Sequence, residues 1–580
     1  MKSEITMKNW VIKPKHDKKN GNELSAKYHP VILQLLANRG ISQKNDIEKY
    51  FKVNYETDVF DPFLFADMTK AVERIAEARE KKEKIAIYGD YDADGVTAAA
   101  LLSETLEQLG FGSVTVYIPD RQLEGYGINM DAIEFLRKKK INLIITVDCG
   151  ITSNEEVKKA SQMGIDIIIT DHHHVPQKIP QAFAIINSNL KNCQYPEKNL
   201  AGVGVAFKLA QALYQKLKPQ DIKQLKWLLD LVAIGTVADC VPLLGENRVL
   251  VKYGLIVLSK TRRKGLLEMF KVGRILISED NLPDTHKISF QVAPRINASG
   301  RMDHASFSYK LMIEKNMVRA RDMALEVESK NQNRQKITNE ITREVRVVAE
   351  NMFKDKKFIF AENEHWPVGL LGLVAGKISD EFNKPTLILQ KQKNEFAGSL
   401  RSIPQINIIE TLEKCSEFLI KFGGHTQAAG LRVAHEKIGE FLAKFSELIE
   451  NQLAEKDITP QIEIDAEISM GDLGWSLLDQ IKKMEPFGEG NDEPVFLIRN
   501  TIIEDFRVVG NGSKHLKLLL RDVNKSPKIF DAIGFGLGDK FPNLQNGNRL
   551  DIVFNLREDE WKGNKKIQLK LVDLKLAGKK

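Results

Sequence analysis

Residues 84–97 read KIAIYGDYDADGVT. A short apolar run, Ile85 to Tyr88, leads straight into three aspartates, Asp90, Asp92 and Asp94, spaced two apart and closed by Gly95. The next residues, VTAAALLSETLEQLG, have helical spacing. Outward from this strand, acidic turn and helix, the same alternation continues to residue 188. VTVYIP, LIITVD, DIIIT and AFAIIN are short β-branched runs, and INMDAIEFLRKKK and SNEEVKKASQMG are helices between them. Such a pattern predicts a parallel sheet covered by helices.

Three carboxylates this close repel one another, and folding does not require them, so a cation is expected among them. In an open parallel sheet, ligands bind beyond the carboxyl ends of the strands. By that rule Asp90, Asp92 and Asp94 follow one strand, Asp148 ends a second, and Asp171, His172, His173 and His174 follow a third. Each piece alone has an ordinary reading. D-x-D after a strand is also a turn with a helix cap, Asp94-Gly95 is a turn signal, and Asp148-Cys-Gly is another helix entry. Three adjacent imidazoles, however, have no packing rationale. Asp239, in VADCVPL, sits in an apolar run where a carboxylate is costly unless paired or metal-bound. Together these residues predict a pair of divalent ions. Oxygen ligands with one or two imidazoles suit Mn²⁺ or Mg²⁺. Such a pair, about 3.5–4 Å apart, can hold a water and a phosphoryl oxygen together.

The bulk properties bound the rest. A chain of 580 residues is too long for one core, so three or four domains are expected. A composition of 43% hydrophobic and 28% charged residues is that of a globular protein, and a net charge of +7 permits a polyanionic partner without demanding one. Cys149, Cys193, Cys240 and Cys415 are far apart and form no C-x-x-C pair, so they suggest neither a zinc site nor a disulfide framework; Cys149 and Cys240 read as small buried apolar residues. The basic N-terminus has no apolar stretch behind it and is not a secretory signal. The most apolar segment, 227–245, carries Asp230, Asp239 and Pro242, so it reads as a buried helix leading to a functional aspartate. No membrane partner and a cytoplasmic location are expected.

Helices dominate 203–260, and 315–351 reads as one long charged helix bridging two lobes. A second α/β pattern starts at KFIFAENEH (357–365). It continues through helix GLLGLVAGKISDEF, strands TLILQKQ and EFAGSLRS, helix NIIETLEKCSEFLIKF and the loop GGHTQAAG. After DITPQIEID the texture becomes mostly strands, which suggests a small β-barrel. The expected segments are an N-terminal extension (1–60), a catalytic domain (61–260), a linker with the long helix (261–350), a second substrate-binding domain (351–456) and the barrel (457–580).

The motifs GDYDADGVT, IPDRQLEGYG, TVDCG, TDHHH, GTVADCVPL, PRINASGRMDHAS, GSLRS and GGHTQAAG resemble the DHH phosphoesterase superfamily. Over nearly the full length they resemble its RecJ family of single-stranded-DNA-specific 5′→3′ exonucleases. The resemblance implies a parallel-sheet DHH catalytic domain, a DHH-associated α/β domain and an oligonucleotide-binding (OB) barrel. It implies a first metal held by Asp90, Asp92 and Asp148, and a second held by Asp94, Asp148, His172 and Asp239, with Asp148 bridging. Some relatives carry histidine where this chain has Tyr88, which leaves Asp90 as the substitute ligand. Asp148 and His173 are the implied catalytic residues, with His173 beside the scissile phosphate; His174 receives no role.

By the same resemblance, Arg121, Ser399 and Arg401 form a terminal-phosphate pocket. Arg295, Asn297 and Arg301 follow the nucleotide backbone, and Gly423, Gly424 and His425 approach the strand from the second domain. A surface ion pair is the alternative for any one arginine, and a tight turn for Gly423-Gly424-His425. In the barrel, Phe506, Arg507, His515 and Lys517 are candidates for stacking and charge, or equally for core and solvated face. The implied activity is stepwise release of 5′-mononucleotides from single-stranded DNA in repair and recombination. The implied enzyme is a monomer assisted by a single-strand-binding protein and a helicase. Two other readings compete: a superfamily enzyme acting on short oligoribonucleotides or cyclic dinucleotides, and an inert replication scaffold of the same fold. The barrel argues against the first, and the full set of acidic and imidazole residues against the second.

Overall fold

Strand Ile85–Gly89 is buried along its whole length. Ile85 and Ile87 point into one core, Ala86 and Tyr88 into another, as a period of two requires when both faces are covered. This strand lies inside a parallel sheet whose order is Val114–Tyr117, Ile85–Gly89, Leu143–Val147, Asp166–Thr170 and Ala184–Ile186. The order reverses at Ile85–Gly89. Helix Ala93–Gln108 therefore packs on one face, and helices Met130–Lys138 and Asn154–Gln162 on the other. Their divergence leaves a crevice beyond Gly89 and Val147, the switch point where ligands bind in such sheets. Helices Met68–Glu80, Gly202–Leu217 and Leu229–Ala238 complete the first face.

The computed structural model describes residues 8–16, 22–112, 114–454, 456–510, 514–523, 528–538, 540–541, 544–561 and 563–578. The chain divides into two units, Tyr55–Ile458 and Met1–Asn54 with Thr459–Lys580. Within the first, helices at 264–313 do not form a free linker: Leu266, Phe270, Ile296 and Leu311 enter the catalytic core. Helix Met317–Met352, capped by Asn316, spans about 54 Å at 1.5 Å per residue. Its apolar stripe packs Ala324 and Val327 into the catalytic core, then Ile341, Val345 and Ala349 into the second lobe. That lobe is a mixed sheet ordered Leu419–His425, Ala428–Ala434, Glu395–Arg401, Thr386–Lys391, Ile359–Asn363, with only the last pair parallel.

One expected element changes type. The helix read through Phe422 ends at Glu413, and Leu419–His425 is a strand paired antiparallel with Ala428–Ala434. GGHTQAAG is thus the tip of a hairpin rather than an open loop. A short apolar run such as FLIKF suits either period, and the partner strand decided it.

In the second unit, Phe496–Val509, His515–Arg521, Ile529–Gly534, Asn564–Leu576 and Arg549–Trp561 pair in that order, and the last pairs back to the first. This closes the expected barrel. Helix Trp475–Lys483, in a stretch read as mostly strand, buries Leu477, Leu478 and Ile481 against the same core. The N-terminal segment belongs here too. Asn9–Ile12 pairs with Gln461–Ile464, and Ile32, Leu35, Leu36 and Ile47 enter the barrel's core. Among the described residues no helix is long and apolar enough to cross a membrane, and the apolar stretch at 227–245 contains the buried helix Leu229–Ala238. Cys149 is buried, but Cys240 is exposed, contrary to its expected burial, because it sits past the helix end in a left-handed turn.

Candidate metal centre

The crevice collects the acidic residues from four elements. Asp90 is the first residue beyond strand Ile85–Gly89. Asp92 caps helix Ala93–Gln108, its Oδ1 accepting from the backbone N–H of Asp94 (2.9 Å) and Gly95 (3.0 Å). Asp94, in the first helical turn, accepts from Gly202 N (2.6 Å) and Val203 N (2.8 Å) at the start of the next helix. Asp148 follows strand Leu143–Val147 with φ of +61°, a left-handed conformation that is uncommon for non-glycine residues. Asp239 ends helix Leu229–Ala238.

Ligand atoms of Asp90, Asp92 and Asp148 lie within 4.8 Å of one another, as do those of Asp94, His172 and Asp239, and those of Asp148, His172 and His173. His172 Nε2 is 3.2 Å from Asp148 Oδ1 and 3.5 Å from Asp239 Oδ2. Buried polar atoms are normally paired. Here Asp90 Oδ1, Asp148 Oδ1 and His172 Nε2 are buried without a hydrogen-bond partner.

The electrostatics agree. Burial first, then Asp92, pushes Asp94 up to about 7. Burial, then Asp94 and Asp92, pushes Asp239 up to about 9. Burial raises Asp90 and Asp148 well above the carboxylate range, with neighbouring aspartates adding to it. Burial and the nearby His173 hold His172 down to about 4, the neutral form that a metal takes. These residues fit divalent cations: hard oxygen donors and one neutral imidazole, brought close together, with Asp90 Oδ1, Asp148 Oδ1 and His172 Nε2 lacking other partners. Tyr88 stands apart. Its hydroxyl donates to the Gly127 carbonyl (2.9 Å) on the other face of the sheet, so the first group consists of carboxylates.

His173 is held differently. Its Nδ1 is 2.7 Å from Asp171 Oδ1 and 3.0 Å from the Tyr126 hydroxyl. Burial alone would lower it, but the bond to Asp171 and that carboxylate's charge raise it to about 9. Asp171, given no role from the sequence, is an orienting residue: it also accepts from the backbone N–H of Ile151, His172 and His173. Exposed His174 remains a neighbour, and exposed His425 is close enough to His173 and His174 for their charges to lower it beyond the effect of burial. Gly424 permits that hairpin tip. Its φ is +148°, and a Cβ there would meet the Ala428 carbonyl at 2.2 Å.

Arginines flank the crevice. Arg121 lies over the ring of Tyr91 (4.6 Å), the residue between Asp90 and Asp92. Arg301 donates to the Gly369 carbonyl (2.9 Å), and burial together with Arg121, Arg334 and Arg401 lowers it to about 9. Arg401 is lowered by burial and by Arg121. A Cβ on Gly372 would lie 3.1 Å from Ser399 Oγ and 3.2 Å from Arg401 Nη2, which places those two side chains together. Asn297 Oδ1 is buried and unpaired. Arg295 is not free: it pairs with Glu328 (2.6 Å) and the Gln291 carbonyl (2.6 Å), tying its helix to the long one. Arg334, on the long helix, escaped the sequence reading because it resembles any cation on a solvated face. Its Nε is buried without a partner.

In the barrel unit, Phe506 packs against the core, Arg507 pairs with Asp505 (3.1 Å), His515 accepts from Gly536 N (3.1 Å), and Lys517 is 3.7 Å from Asp531.

A parallel-sheet crevice lined by aspartates and a DHH turn, faced by a second α/β lobe, defines a phosphoesterase of the DHH class. Three family models match in register with this architecture: the DHH family N-terminal domain over 84–236, the DHHA1 domain over 355–451 and the RecJ OB domain over 464–573. The single-stranded-DNA-specific exonuclease RecJ of Bacillus subtilis is 37% identical over 97% of this chain and 70% of its own length. That of Haemophilus influenzae is 32% identical over 95% of this chain and 97% of its own. The crystal structure of RecJ in complex with Mn²⁺ from Thermus thermophilus superposes with a TM-score of 0.82 at 25% identity, covering 98% of this chain and 80% of that one. The chain belongs to the RecJ family.

Proposed function

We propose that this chain is a divalent-metal-dependent 5′→3′ exonuclease that hydrolyses single-stranded DNA to 5′-mononucleotides, in repair and recombination. The observation that carries this reading is the set of buried, unpartnered ligand atoms on Asp90, Asp148 and His172, flanked by arginines. Asp90, Asp92 and Asp148 would hold one cation and Asp94, Asp148, His172 and Asp239 the other. Bound there, the ions supply positive charge to phosphoryl oxygens and lower the pKa of water.

The chain's own groups do the rest. Arg121, Ser399, Arg401 and Arg301 form a fork suited to a terminal phosphate, which fixes the scissile bond one nucleotide in. Asn297 and Arg334 add polar atoms along the backbone. His173, charged and anchored at Nδ1 by Asp171, presents Nε2–H to charge developing on the phosphate. His425 approaches from the second lobe. The barrel is a sequence-tolerant surface for the rest of the strand. An enzyme confined to single strands needs others to expose them, so the reading extends to a monomer working beside a helicase and a single-strand-binding protein.

The test is digestion of 5′-labelled and 3′-labelled single strands with Mn²⁺ or Mg²⁺. A 5′ label is expected to leave at once as a mononucleotide while 3′-labelled strands shorten gradually, and Asp148→Ala is expected to do neither. Products bearing a 3′-phosphate, or the 3′ label leaving first, would refute the polarity. Faster turnover of dinucleotides than of long strands would favour the small-substrate reading, and binding without shortening the scaffold.

A further inference from the structure

The sheet that carries the metal centre at its carboxyl edge has a second cavity at its amino edge, of about 900 Å³. Three helix-to-strand turns build it. They follow helices Met68–Glu80, Ala93–Gln108 and Met130–Lys138, and they enter three adjacent strands, Ile85–Gly89, Val114–Tyr117 and Leu143–Val147, the second of which is an edge of the sheet. The floor is apolar: Ile85, Phe111, Val114 and Ile141 line it, with Phe111 half-buried. The walls are cationic: Arg79, Lys82, Lys84, Lys138, Lys139 and Lys140. Among the lining residues the single acid is Glu83, and it is already paired with Arg74 at 2.7 Å.

None of the six cations has an acidic partner within 4 Å among the described residues. The contacts they make are with neutral groups: Arg79 sits over the Phe111 ring at 6.0 Å, Lys139 over Phe135 at 4.6 Å, and Lys84 donates to the Lys139 carbonyl at 3.3 Å. Elsewhere exposed lysines commonly do pair, as Lys81 does with Glu77 at 2.5 Å. Basic residues at helix carboxyl ends complement the helix dipole, which accounts for a cation in the last turn. It does not account for three consecutive lysines or for a cavity between them. Lys82 and Lys140 are moreover held at φ of +54° and +59°, so the turns carry lysine where glycine is the relaxed choice.

We infer that this cavity is a binding site for a nucleotide phosphate group, with the ring seated on the apolar floor and two or more phosphates among the lysines. Lysine ammonium groups bind phosphate as mobile point charges. A cavity of this size, apolar below and polar at a few converging points, suits a small ligand. The site lies at the end of the strands opposite the aspartates, so it is separate from the reaction centre and does not rest on the proposed activity. The phosphates come either from a free nucleoside polyphosphate or from a nucleic-acid chain.

The full chain is titrated, without divalent metal, with a fluorescent adenosine triphosphate, as wild type, as Arg401→Ala, and as the triple variant Lys82→Gln, Lys139→Gln, Lys140→Gln. Binding is expected to survive in Arg401→Ala and to weaken about tenfold or more in the triple variant, a loss of roughly 1.4 kcal/mol. The triple variant should still degrade short single strands, which shows that it is folded. Competition by unlabelled triphosphate alone assigns the site to free nucleotides; competition also by a 5′-hydroxyl oligonucleotide assigns it to chain phosphates. Equal binding by wild type and the triple variant, loss of binding in Arg401→Ala, or displacement by oligoglutamate but not by nucleotides overturns the inference.

Discussion

Nε2 of His172 and Oδ1 of Asp148 lie 3.2 Å apart, both buried and neither hydrogen-bonded. The two atoms come from different strands of one sheet and converge on the space between them. A buried acceptor and a neutral imidazole left unpaired in this way are costly unless a cation completes them.

Replacing Asp148 by asparagine removes the bridging charge and keeps the shape. Exonuclease activity is expected to fall more than about 100-fold, as loss of a ligand should exceed the loss seen for its supporting partners. The metal-free protein should melt no lower than wild type, because the substitution relieves repulsion with Asp94, Asp92 and Asp90. Calorimetry with and without Mn²⁺ checks this: the variant should lose most of the metal-induced rise in Tm.

The metal-free centre should destabilise the fold as pH rises. Asp94 and Asp239 titrate at about 7 and about 9 in the folded chain, above the usual carboxylate value of about 4. A raised folded pKa contributes stability that is complete below about 4 and lost as pH climbs through 7 and then 9. Tm measured in chelator should therefore decline across that window. Cations compete with these protons, so the Mn²⁺-induced rise in Tm should be larger at pH 8 than at pH 5.5. A metal effect that shrinks with rising pH would count against the site.

Two arginines that the sequence offers alike for the substrate should separate by phenotype. Arg401→Ala is expected to raise KM for 5′-phosphorylated strands by about 10–100-fold, the worth of a charge-assisted bond, with Tm unchanged. Arg295→Ala breaks the tie to Glu328 and should instead cost about 1–3 kcal/mol of stability, with KM little altered. Denaturant titration and steady-state kinetics on both variants check the split.

Gly202→Ala tests the space around the cluster. A Cβ at this position would lie 2.5 Å from Asp148 Oδ1, at the helix start whose N–H groups hold Asp94. Shifting either carboxylate should reduce activity by at least about tenfold, while overpacking costs about 1–3 kcal/mol. Metal affinity read by calorimetry should weaken along with the rate.

The alternating runs from 84 to 188 made the parallel sheet legible, and the position of Asp90, Asp92, Asp94, Asp148 and the DHH turn after strands made the crevice legible. These are local signals: period, strand ends and turn residues survive in the linear order. Leu419–His425 was not legible as a strand, because FLIKF suits two periods and only Ala428–Ala434 selects one. Nor did any local pattern join Asn9–Ile12 to Gln461–Ile464 or place Ile32 and Leu35 in the barrel's core, since such contacts cross some 450 residues.

The same division runs through the site. Residue type and position after strands singled out the candidate metal ligands, while the arginines were named for phosphate only by resemblance to the family. Tertiary packing decided which of them are spent: Tyr88 on Gly127, Arg295 on Glu328, Asp171 on the histidine turn. It also left Arg334 Nε buried and unpaired. A side chain's chemistry is its own, but its availability depends on every neighbour that competes for it, and those neighbours are assembled only by the fold.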